Sequence, residues 1–362
     1  QASNVTLYRD TARFVAEREL EVAGERITAP LIVIAAGSRC TSPASIEGLD
    51  EAWSSGRVHN SDTIMRIDDV PRRLAIIGGG FIAAEFAHVF SAFGSQVTVV
   101  VRGDRMLRHE DEEISRRYTE AAGRDMTLLL GHATRRVETG EDGVRVHVSD
   151  SSGAERVVEA DVLLVATGRR PNSDRLDVRA GGIALDEAGF VLVDAWQRTS
   201  VEGVYALGDV SSPWMLKHVA NHEARVVQHN LLHPDAPITA NHAAIPHAVF
   251  GHPQVASVGM TEAEALACGE QVAVAVQEYS TTAYGWAMED TASCVKLVAD
   301  RTTGLLLGGH IIGPQASTLI QPVIQAMATG LTVQQMARGQ YWIHPALTEV
   351  VENALLSLGI DK

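Results

Sequence analysis

The chain contains few cysteines, and those it has are isolated. Cys40, Cys268 and Cys294 are the three cysteines among 362 residues. No two of them form a CxxC or CxxxxC pair, and no cysteine–histidine cluster has the spacing of a zinc site. The sequence therefore argues against a disulfide scaffold and against a bound metal. Each cysteine is interpreted as a buried or incidental thiol.

Basic side chains and long apolar runs are also scarce. The chain carries 30 lysines and arginines against 45 aspartates and glutamates, a net charge of −15. Such an acidic balance argues against a nucleic-acid partner. No apolar run approaches the roughly 18 residues that span a membrane, and residues 1–10 lack the basic head and apolar core of a signal peptide. The sequence predicts a cytoplasmic protein with neither nucleic acid nor membrane as a partner.

Hydrophobic residues, by contrast, make up 46% of the chain, enough for the cores of two or three domains. A complete βαβ unit is predicted, with a strand at 74–77, a glycine turn and helix at 78–93, and a second strand at 97–101. Residues 31–37 (LIVIAAG) and 163–168 (LLVATG) predict two further buried strands, each ending at a glycine.

Beyond the βαβ unit the pattern changes. Residues 144–148 (VRVHV) alternate between apolar and polar side chains, which predicts an exposed-edge strand. Residues 203–209 (GVYALGD) predict a strand followed by a helix from about Leu216. From about residue 241 an α+β domain is predicted. Its antiparallel strands are predicted at 249–259, 294–299 and 305–312, and its helices at 261–266, 316–329 and 345–358.

A glycine fingerprint lies between the first strand and the helix of the βαβ unit. Gly78, Gly79 and Gly80 open the segment GGGFIA, with Ala83 at its third small position. The position after an apolar strand and before a helix is the context that dinucleotide sites require. Glycines there let backbone N–H groups reach a pyrophosphate, whose charge suits the helix N-terminus. The pattern predicts a nucleotide site; the alternative is a glycine-rich turn that only packs helix on strand.

The end of the second strand favours NADPH over NADH. NAD sites place an acidic residue there to bind the ribose hydroxyls, whereas this strand is followed by Arg102, with Arg105 and Arg108 close behind. Guanidinium groups at this point bind a 2′-phosphate through paired hydrogen bonds. A solvated basic loop is the alternative, although Asp104 and Glu110 show that the loop is not simply basic.

Near the C-terminus, His344-Pro345 is followed by Glu349, five residues after the histidine. We predict that Pro345 occupies the first helical position, which puts Glu349 in the first turn. A carboxylate there orients the imidazole and raises its pKa, which makes a general acid. His233-Pro234 and His252-Pro253 have no acid at this spacing. An ordinary His-Pro turn is the alternative.

Taken in order, these motifs resemble the pyridine nucleotide–disulfide oxidoreductases, the glutathione reductase-like flavoenzymes. The segments that carry the resemblance are IVIAAGSR (32–39), GGGFIAAE (78–85), VRGDRMLR (101–108), ATGRRPN (166–172), ALGDV (206–210) and HPALTE (344–349). The resemblance implies an α/β fold, with Rossmann-like nucleotide-binding domains for FAD and NADPH followed by an α+β dimerisation domain. The implied boundaries are 1–37 for a remnant of the FAD domain, 38–170 for the NADPH domain, 171–240 for the second FAD segment and 241–362 for the dimerisation domain.

The resemblance also implies roles for single residues. The implied NADPH contacts are Gly78, Gly79, Gly80, Ile82, Glu85, Arg102, Arg108 and Gly168. The implied FAD contacts are Gly37, Gly208, Asp209, Lys217, His218 and Ala220. Arg225 matches a substrate contact, and His344 with Glu349 matches the acid of the reaction. Without the resemblance, Asp209 is typical of an Asx turn and Glu85 of an acid on a helix surface.

The implied reaction is the reduction of a small disulfide by NADPH through FAD and a dithiol, in a homodimer whose histidine reaches the partner's active site. Residues 207–232 and 336–356 favour mycothiol disulfide; glutathione disulfide, mercuric ion or another disulfide is the alternative. The family's first G-x-G-x-x-G, its C-x-x-x-x-C and the lysine that pairs with the position of Glu85 are not found here. We therefore expect an N-terminally truncated fragment, inactive alone. A non-catalytic nucleotide-binding and dimerisation module is the third hypothesis.

Overall fold

The computed structural model describes residues 4–269 and 271–360, which form twenty strands and ten α-helices. In chain order the strands are β1 (Arg13–Ala16), β2 (Glu19–Val22), β3 (Glu25–Thr28), β4 (Ile32–Ile34), β5 (Ser38–Cys40), β6 (Val58–His59), β7 (Arg73–Ile77), β8 (Gln96–Val101), β9 (Thr127–Leu130), β10 (Ala133–Gly140), β11 (Gly143–Ser149), β12 (Glu155–Ala160), β13 (Val162–Val165), β14 (Arg169–Pro171), β15 (Val204–Ala206), β16 (Pro246–Val249), β17 (Val255–Gly259), β18 (Val272–Glu278), β19 (Cys294–Asp300) and β20 (Leu306–Ile312). The helices are α1 (Leu49–Ala52), α2 (Phe81–Ala92), α3 (Glu112–Asp125), α4 (Lys217–Leu232), α5 (Glu262–Ala267), α6 (Ala283–Ala287), α7 (Ala316–Leu319), α8 (Gln321–Thr329), α9 (Val333–Arg338) and α10 (Thr348–Ser357). None of the described helices is both long enough and apolar enough to cross a membrane.

The chain folds into two compact units, each built from two separate stretches. The first unit combines Gln1–Thr41 with Arg169–His242, and the second combines Ser42–Gly168 with Ala243–Lys362. The division into four functional domains stays a prediction from the sequence.

The second unit contains a parallel sheet ordered β6-β13-β7-β8-β9. Strands β7 and β8 are largely apolar and buried, as strands of parallel sheets covered on both faces are. They are joined through α2 in the predicted βαβ unit, and Ile76 lies opposite Val99 in their register. This crossover brings the carboxyl ends of β7, β8 and β13 to one edge of the sheet, where the glycine turn lies.

A separate antiparallel sheet of the same unit contains β10, β11 and β12. Strand β11, which carries the alternating Val144, Val146 and Val148, is its central strand. All three valines are buried. The prediction of an exposed-edge strand was therefore wrong. An alternation of apolar and polar residues indicates that one face of a strand is buried. Central strands show this alternation as well as edge strands do when only one face of the sheet packs on the core.

The C-terminal stretch forms an antiparallel sheet ordered β16-β17-β20-β19-β18, covered by α8 and α10. The α+β prediction is confirmed, but several of its elements need correction. The strand predicted at 249–259 is two strands, β16 and β17, joined by a turn. The helix predicted at 316–329 is two helices, α7 and α8. Strand β18 and helices α6 and α9 of this stretch were not predicted.

The first unit is made of small sheets around an apolar core. Strands β1, β2 and β3 form one sheet, β4 pairs with β15 in parallel, and β5 pairs with β14 antiparallel. The core includes Phe14, Ile34 and Val204. Because β4 and β15 are parallel and Ile34 lies opposite Ala206 in their register, the residues that follow the two strands lie at the same end of the pair.

Candidate functional site

The glycine turn follows β7 and lies against two neighbouring strands. Gly78 has φ of 133°, and a Cβ there would lie 2.2 Å from the Ala166 carbonyl oxygen. A Cβ on Gly79 would lie 2.6 Å from Val101 Cγ1, whereas a Cβ on Gly80 would meet no described atom within 4 Å. The first two glycines are therefore required by packing, and the third leaves space in which a ligand can approach the backbone.

Helix α2 begins directly beside this space. Its N-cap residue, Gly80, provides no side-chain cap, so the first-turn N–H groups need another acceptor. An anion is well suited to this position, because it also meets the positive end of the helix dipole. Ile82 is half-buried in the first turn, and Glu85 accepts a hydrogen bond from the Phe250 N–H at 3.0 Å. The predicted nicotinamide-side residues thus lie on the helix that the glycine turn opens.

Residues 102–111, between β8 and α3, form a segment that we call the arginine loop. Arg102 and Arg108 are both exposed in it. The Leu107 N–H donates to the Gly79 carbonyl oxygen at 2.6 Å. The loop is therefore tied directly to the glycine turn, and both predicted phosphate-binding arginines belong to it.

Glu110, which sequence reasoning left without a role, is bound to the C-terminal sheet. Its Oε1 lies 2.6 Å from His247 Nε2, and the Ser257 hydroxyl donates to Oε2 at 2.6 Å. Burial raises the pKa of Glu110, but the hydrogen bond and charge of His247 outweigh it and bring the pKa below its ordinary value. Burial likewise lowers the pKa of His247, but Glu110 raises it above its ordinary value. Both shifts favour the charged pair.

Asp111 joins helix α3 to strand β19. Its Oδ1 accepts from the Glu113 N–H at 3.0 Å, as an N-cap, and lies 2.9 Å from Lys296 Nζ. Lys296 Nζ also lies 2.7 Å from the Glu262 carboxylate. The Asp111 and Lys296 side chains keep only 2% and 6% of their exposure. Burial lowers the pKa of Lys296, but the two carboxylates outweigh it and raise the pKa.

In the first unit, β4 and β15 bring the predicted FAD residues together. Gly37 and Gly208 both have positive φ, 66° and 71°. Asp209 Oδ2 accepts the Ser38 hydroxyl at 2.7 Å, and Ser38 Oγ accepts from Arg169 Nε at 2.8 Å. Asp209 is thus oriented by Ser38 and Arg169, which the motifs contained but to which no role was given.

A buried glutamate of α4 holds the turn at Gly208. The Gly208 N–H donates to Glu223 Oε2 at 2.7 Å, and His242 Nε2 lies 3.1 Å from Glu223 Oε1. A Cβ on Gly208 would lie 3.4 Å from Ala220 Cβ, so the turn contacts the start of α4. Burial raises the pKa of Glu223, and the Gly208 and His242 contacts oppose that shift without cancelling it. Sequence reasoning missed Glu223, whose signal was an acid four residues after Val219 on the apolar face of the helix.

Other predicted contacts lie on exposed or glycine positions. Lys217, His218 and Arg225 are exposed on α4, and Lys217 Nζ donates to Asn221 Oδ1 at 3.0 Å. No side chain caps the N-terminus of α4, so its first-turn N–H groups are also suited to an acceptor from outside. In the second unit, Gly168 has φ of 114°, which favours glycine.

His344 and Glu349 form a hydrogen-bonded pair, with 2.8 Å between Nδ1 and Oε1. Glu349 Oε2 also accepts from the Ala346 N–H at 3.2 Å. The hydrogen bond from His344 is the main reason that the pKa of Glu349 lies below its ordinary value. The His344 side chain is 68% exposed, against 19% for Glu349. One chain therefore orients the imidazole ring and leaves most of it uncovered.

The helix after this pair begins later than predicted. Pro345 follows a cis peptide bond, and α10 begins at Thr348. Pro345 is therefore not the first helical residue, and that prediction was wrong. Glu349 still lies in the first turn, because it is the second residue of α10.

The three cysteines lie on separate elements and form no disulfide within the described ranges. Cys294 is buried in β19, and burial raises the pKa of its thiol to about 12. Cys268 is exposed after α5, and Cys40 Sγ lies 3.3 Å from Arg169 Nη1. In the same ranges, no group of three or more histidine, cysteine, aspartate or glutamate side chains could hold a metal ion.

Two family models match the chain. The model described as pyridine nucleotide-disulphide oxidoreductase matches residues 1–224. The model described as the dimerisation domain of the pyridine nucleotide-disulphide oxidoreductases matches residues 245–355. Together they cover the glycine turn, the arginine loop, the Gly208 turn and the His344–Glu349 pair.

Individual proteins are similar over almost the whole chain. A mycothione reductase from Mycobacterium tuberculosis is 51% identical over 372 residues, covering 99% of this chain and 78% of the relative. A dihydrolipoyl dehydrogenase from Haloferax volcanii is 35% identical, covering 98% of this chain and 76% of the relative. Among solved structures, the HOCl-induced flavoprotein disulfide reductase RclA from Escherichia coli has a TM-score of 0.84 at 26% identity, covering 96% of this chain and 78% of that one.

Proposed function

The chain belongs to the pyridine nucleotide-disulphide oxidoreductase family, and from that premise we propose that it is an NADPH-dependent reductase of mycothiol disulfide. Proteins of this family bind FAD and use NAD(P)H. One observation carries the proposal: His344 is held by Glu349 at 2.8 Å, within a chain that is 51% identical to a mycothione reductase.

In the proposed reaction His344 is the acid. Splitting a disulfide with two electrons releases thiolates, and each needs one proton to become a thiol. Glu349 binds the ring through Nδ1, so the proton passes from Nε2 to the departing thiolate. The Glu349 carboxylate orients the ring throughout.

The arginine loop supports NADPH rather than NADH as the reductant. Arg102 and Arg108 are exposed, and their loop is bonded to the glycine turn through Leu107. Guanidinium groups beside a dinucleotide turn bind a 2′-phosphate. Arg102→Asp should raise the KM for NADPH relative to that for NADH, and an unchanged ratio would contradict this assignment.

The residues around the Gly208 turn fit the pyrimidine and ribityl parts of FAD. Gly37 and Gly208 both have positive φ, and a Cβ on Gly37 would meet no described atom within 4 Å. Asp209 is fixed by Ser38, and the first turn of α4 lacks a side-chain cap. We propose that Asp209 binds the ribityl–phosphate region and that Lys217, His218 and Ala220 lie beside the ring. When bound, FAD supplies the redox chemistry that links NADPH oxidation to disulfide reduction.

The proposed reaction also needs two neighbouring thiols, and the three cysteines of this chain are not neighbours. The proposal therefore requires a pair of neighbouring thiols that these three cysteines do not form. A purified 362-residue chain that binds FAD and turns over disulfide would contradict it.

The exposure of His344 supports a homodimer with a shared active site. A general acid works on a substrate that is held and shielded from water, and one chain covers only a third of this side chain. The match to a dimerisation domain includes the pair. We propose that His344 protonates the thiolate in the partner's active site. We propose further that Arg225 contacts the substrate. The enzyme is proposed to be cytoplasmic.

NADPH consumption by the full-length enzyme tests the substrate. Mycothiol disulfide should be reduced with a higher kcat/KM than glutathione disulfide, and the reverse preference would favour the second candidate, a reductase of another small disulfide. Mercuric ion belongs to the same test, because a mercuric reductase from Bacillus cereus is 33% identical to this chain. Absence of turnover with every acceptor would favour a non-catalytic nucleotide-binding module.

A further inference from the structure

The arginine loop is anchored near its middle and at its C-terminal end, in different ways. Near its middle, the Leu107 N–H binds the Gly79 carbonyl, and the buried Met106 carbonyl accepts the Ser115 hydroxyl at 2.6 Å. These contacts lie within the parallel-sheet domain. The far end of the loop is held by Glu110 and Asp111, whose side-chain partners lie in the C-terminal stretch.

The carboxylates of Glu110 and Asp111 and the ammonium group of Lys296 are buried, whereas the His247 side chain is 40% exposed. The Glu110 carboxylate keeps 7% of its exposure and binds His247 and Ser257, which lie on the paired strands β16 and β17. Asp111 binds Lys296 of β19. Consecutive residues of one loop are thus fixed to three strands of one sheet.

Buried ion pairs contribute little net stability compared with apolar packing, because desolvation offsets their attraction. Their geometry is demanding, however, and a carboxylate left unpaired inside a protein is costly. Such ion pairs therefore restrict the position of the segment that carries them more narrowly than apolar contacts do. In this chain the position they define is that of a loop with two exposed arginines.

We propose that the Glu110–His247 and Asp111–Lys296 pairs position the arginine loop, so that the C-terminal sheet contributes to the selection of NADPH over NADH. The inference rests on the proposed roles of Arg102 and Arg108. His247 and Lys296 do not touch the nucleotide; they act through the loop. Loosening the loop end lets the two guanidinium groups move relative to the glycine turn, which weakens contacts to a 2′-phosphate and leaves the pyrophosphate contacts in place.

Anaerobic equilibrium titration of the full-length protein, reduced beforehand so that it cannot oxidise the nucleotide, with NADPH and with NADH tests the proposal, and nicotinamide fluorescence reports binding. His247→Leu removes the partner of Glu110, and His247→Gln keeps a donor. The matched control is His147→Leu, because His147 lies 3.2 Å from Glu138 in the antiparallel sheet of β10 and β11, away from the loop. We expect His247→Leu to raise the Kd for NADPH about tenfold and the Kd for NADH less than about twofold. His247→Gln and the control should keep the wild-type ratio.

Asp111→Asn provides a second measurement should His247→Leu fail to fold. Asparagine retains the N-cap acceptor for Glu113 and weakens the bond to Lys296, and it should shift the NADPH to NADH ratio in the same direction. Equal weakening of both nucleotides, or an unchanged ratio in both folded variants, would overturn the positioning role. If wild-type protein itself binds NADPH no more tightly than NADH, the proposed nucleotide specificity fails first, and that result is distinct.

Discussion

The glycine turn and the His344–Glu349 pair are built in opposite ways. The turn is backbone, packed so closely that a Cβ on Gly78 would lie 2.2 Å from the Ala166 carbonyl oxygen. The pair is two side chains, and His344 remains 68% exposed. A turn whose role is to hold backbone N–H groups in place is complete within one chain. An acid that acts on a substrate must be completed by the surface that holds the substrate.

This difference separates the two ways in which a substitution can act. Changes in the turn should damage folding and binding together. The backbone conformation that packs against the neighbouring strands is also the one that would present N–H groups to a ligand. Changes at His344 should damage chemistry and leave the fold intact, because its largely exposed side chain contributes little to stability. The four predictions below test that separation, beginning with the largest expected effect.

Gly78→Ala should have the largest effect. The new Cβ would clash with a backbone carbonyl at a φ of 133°, and we expect a loss of more than about 3 kcal/mol in the free energy of unfolding. Gly80→Ala is the matched control: its φ is −88° and its Cβ meets open space, so stability should fall by less than about 1 kcal/mol. Urea unfolding measures both, and equal losses would remove the packing argument.

His344→Gln should lower kcat for disulfide reduction about 10²- to 10⁴-fold, the usual contribution of a general acid. The free energy of unfolding should change by less than about 1 kcal/mol, because the side chain is largely exposed. His233→Gln is the control, since His233 also precedes a proline and has no acid five residues on. Steady-state kinetics measures kcat, and urea unfolding measures stability. A His344→Gln variant that loses stability and keeps its activity would contradict the proposed difference from the glycine turn.

Glu223→Ala tests an intermediate case, a buried side chain that holds a backbone turn. Removing the carboxylate leaves the Gly208 N–H unpaired, which we expect to cost about 1–3 kcal/mol and to reduce the FAD retained after gel filtration. Glu223→Gln keeps an acceptor and should retain more FAD than the alanine variant. Gln228→Ala, exposed on the same helix, is the control. Full FAD retention in Glu223→Ala would show that the turn needs no such support.

The pH dependence of the pair should be the smallest effect. The pKa of Glu349 is lowered in the folded protein, chiefly by the bond from His344. Its stabilisation is therefore present above the unfolded value of about 4.3 and is lost as pH falls through the folded pKa. The difference in free energy of unfolding between wild type and Glu349→Gln should be less than about 1 kcal/mol above the unfolded pKa. It should shrink as the pH falls from there through the folded pKa. Thermal unfolding between about pH 3 and 6 measures it, and a difference that grows at low pH would reverse the sign.

Local patterns predicted the elements whose signal is contained within a few residues. The βαβ unit and its glycine turn could be predicted because apolar runs and glycines report directly on buried strands and on close backbone approach. The pairing of His344 with Glu349 could be predicted from spacing, although the helix begins at Thr348 and not at Pro345. Helix α3 had a readable signal too, an aspartate N-cap before two glutamates, and it was overlooked.

Other features have no local signal. The alternation at Val144, Val146 and Val148 indicates a strand with one buried face. The central place of that strand in the sheet depends on β10 and β12, which pair with it on either side. Glu110 was one acid in a basic loop until folding placed it 2.6 Å from His247, 137 residues away. Glu223 was likewise a helix acid until the Gly208 turn came against it.

The sequence by itself determined the family, the glycine turn, the arginine loop and the spacing of His344 and Glu349, because each depends on neighbours along the chain. Tertiary structure alone decided which buried charges meet, which glycines are required by packing and how much of His344 is left open. Those properties arise from contacts between distant segments, and the distance and burial of such contacts are set only when the sheets and helices pack.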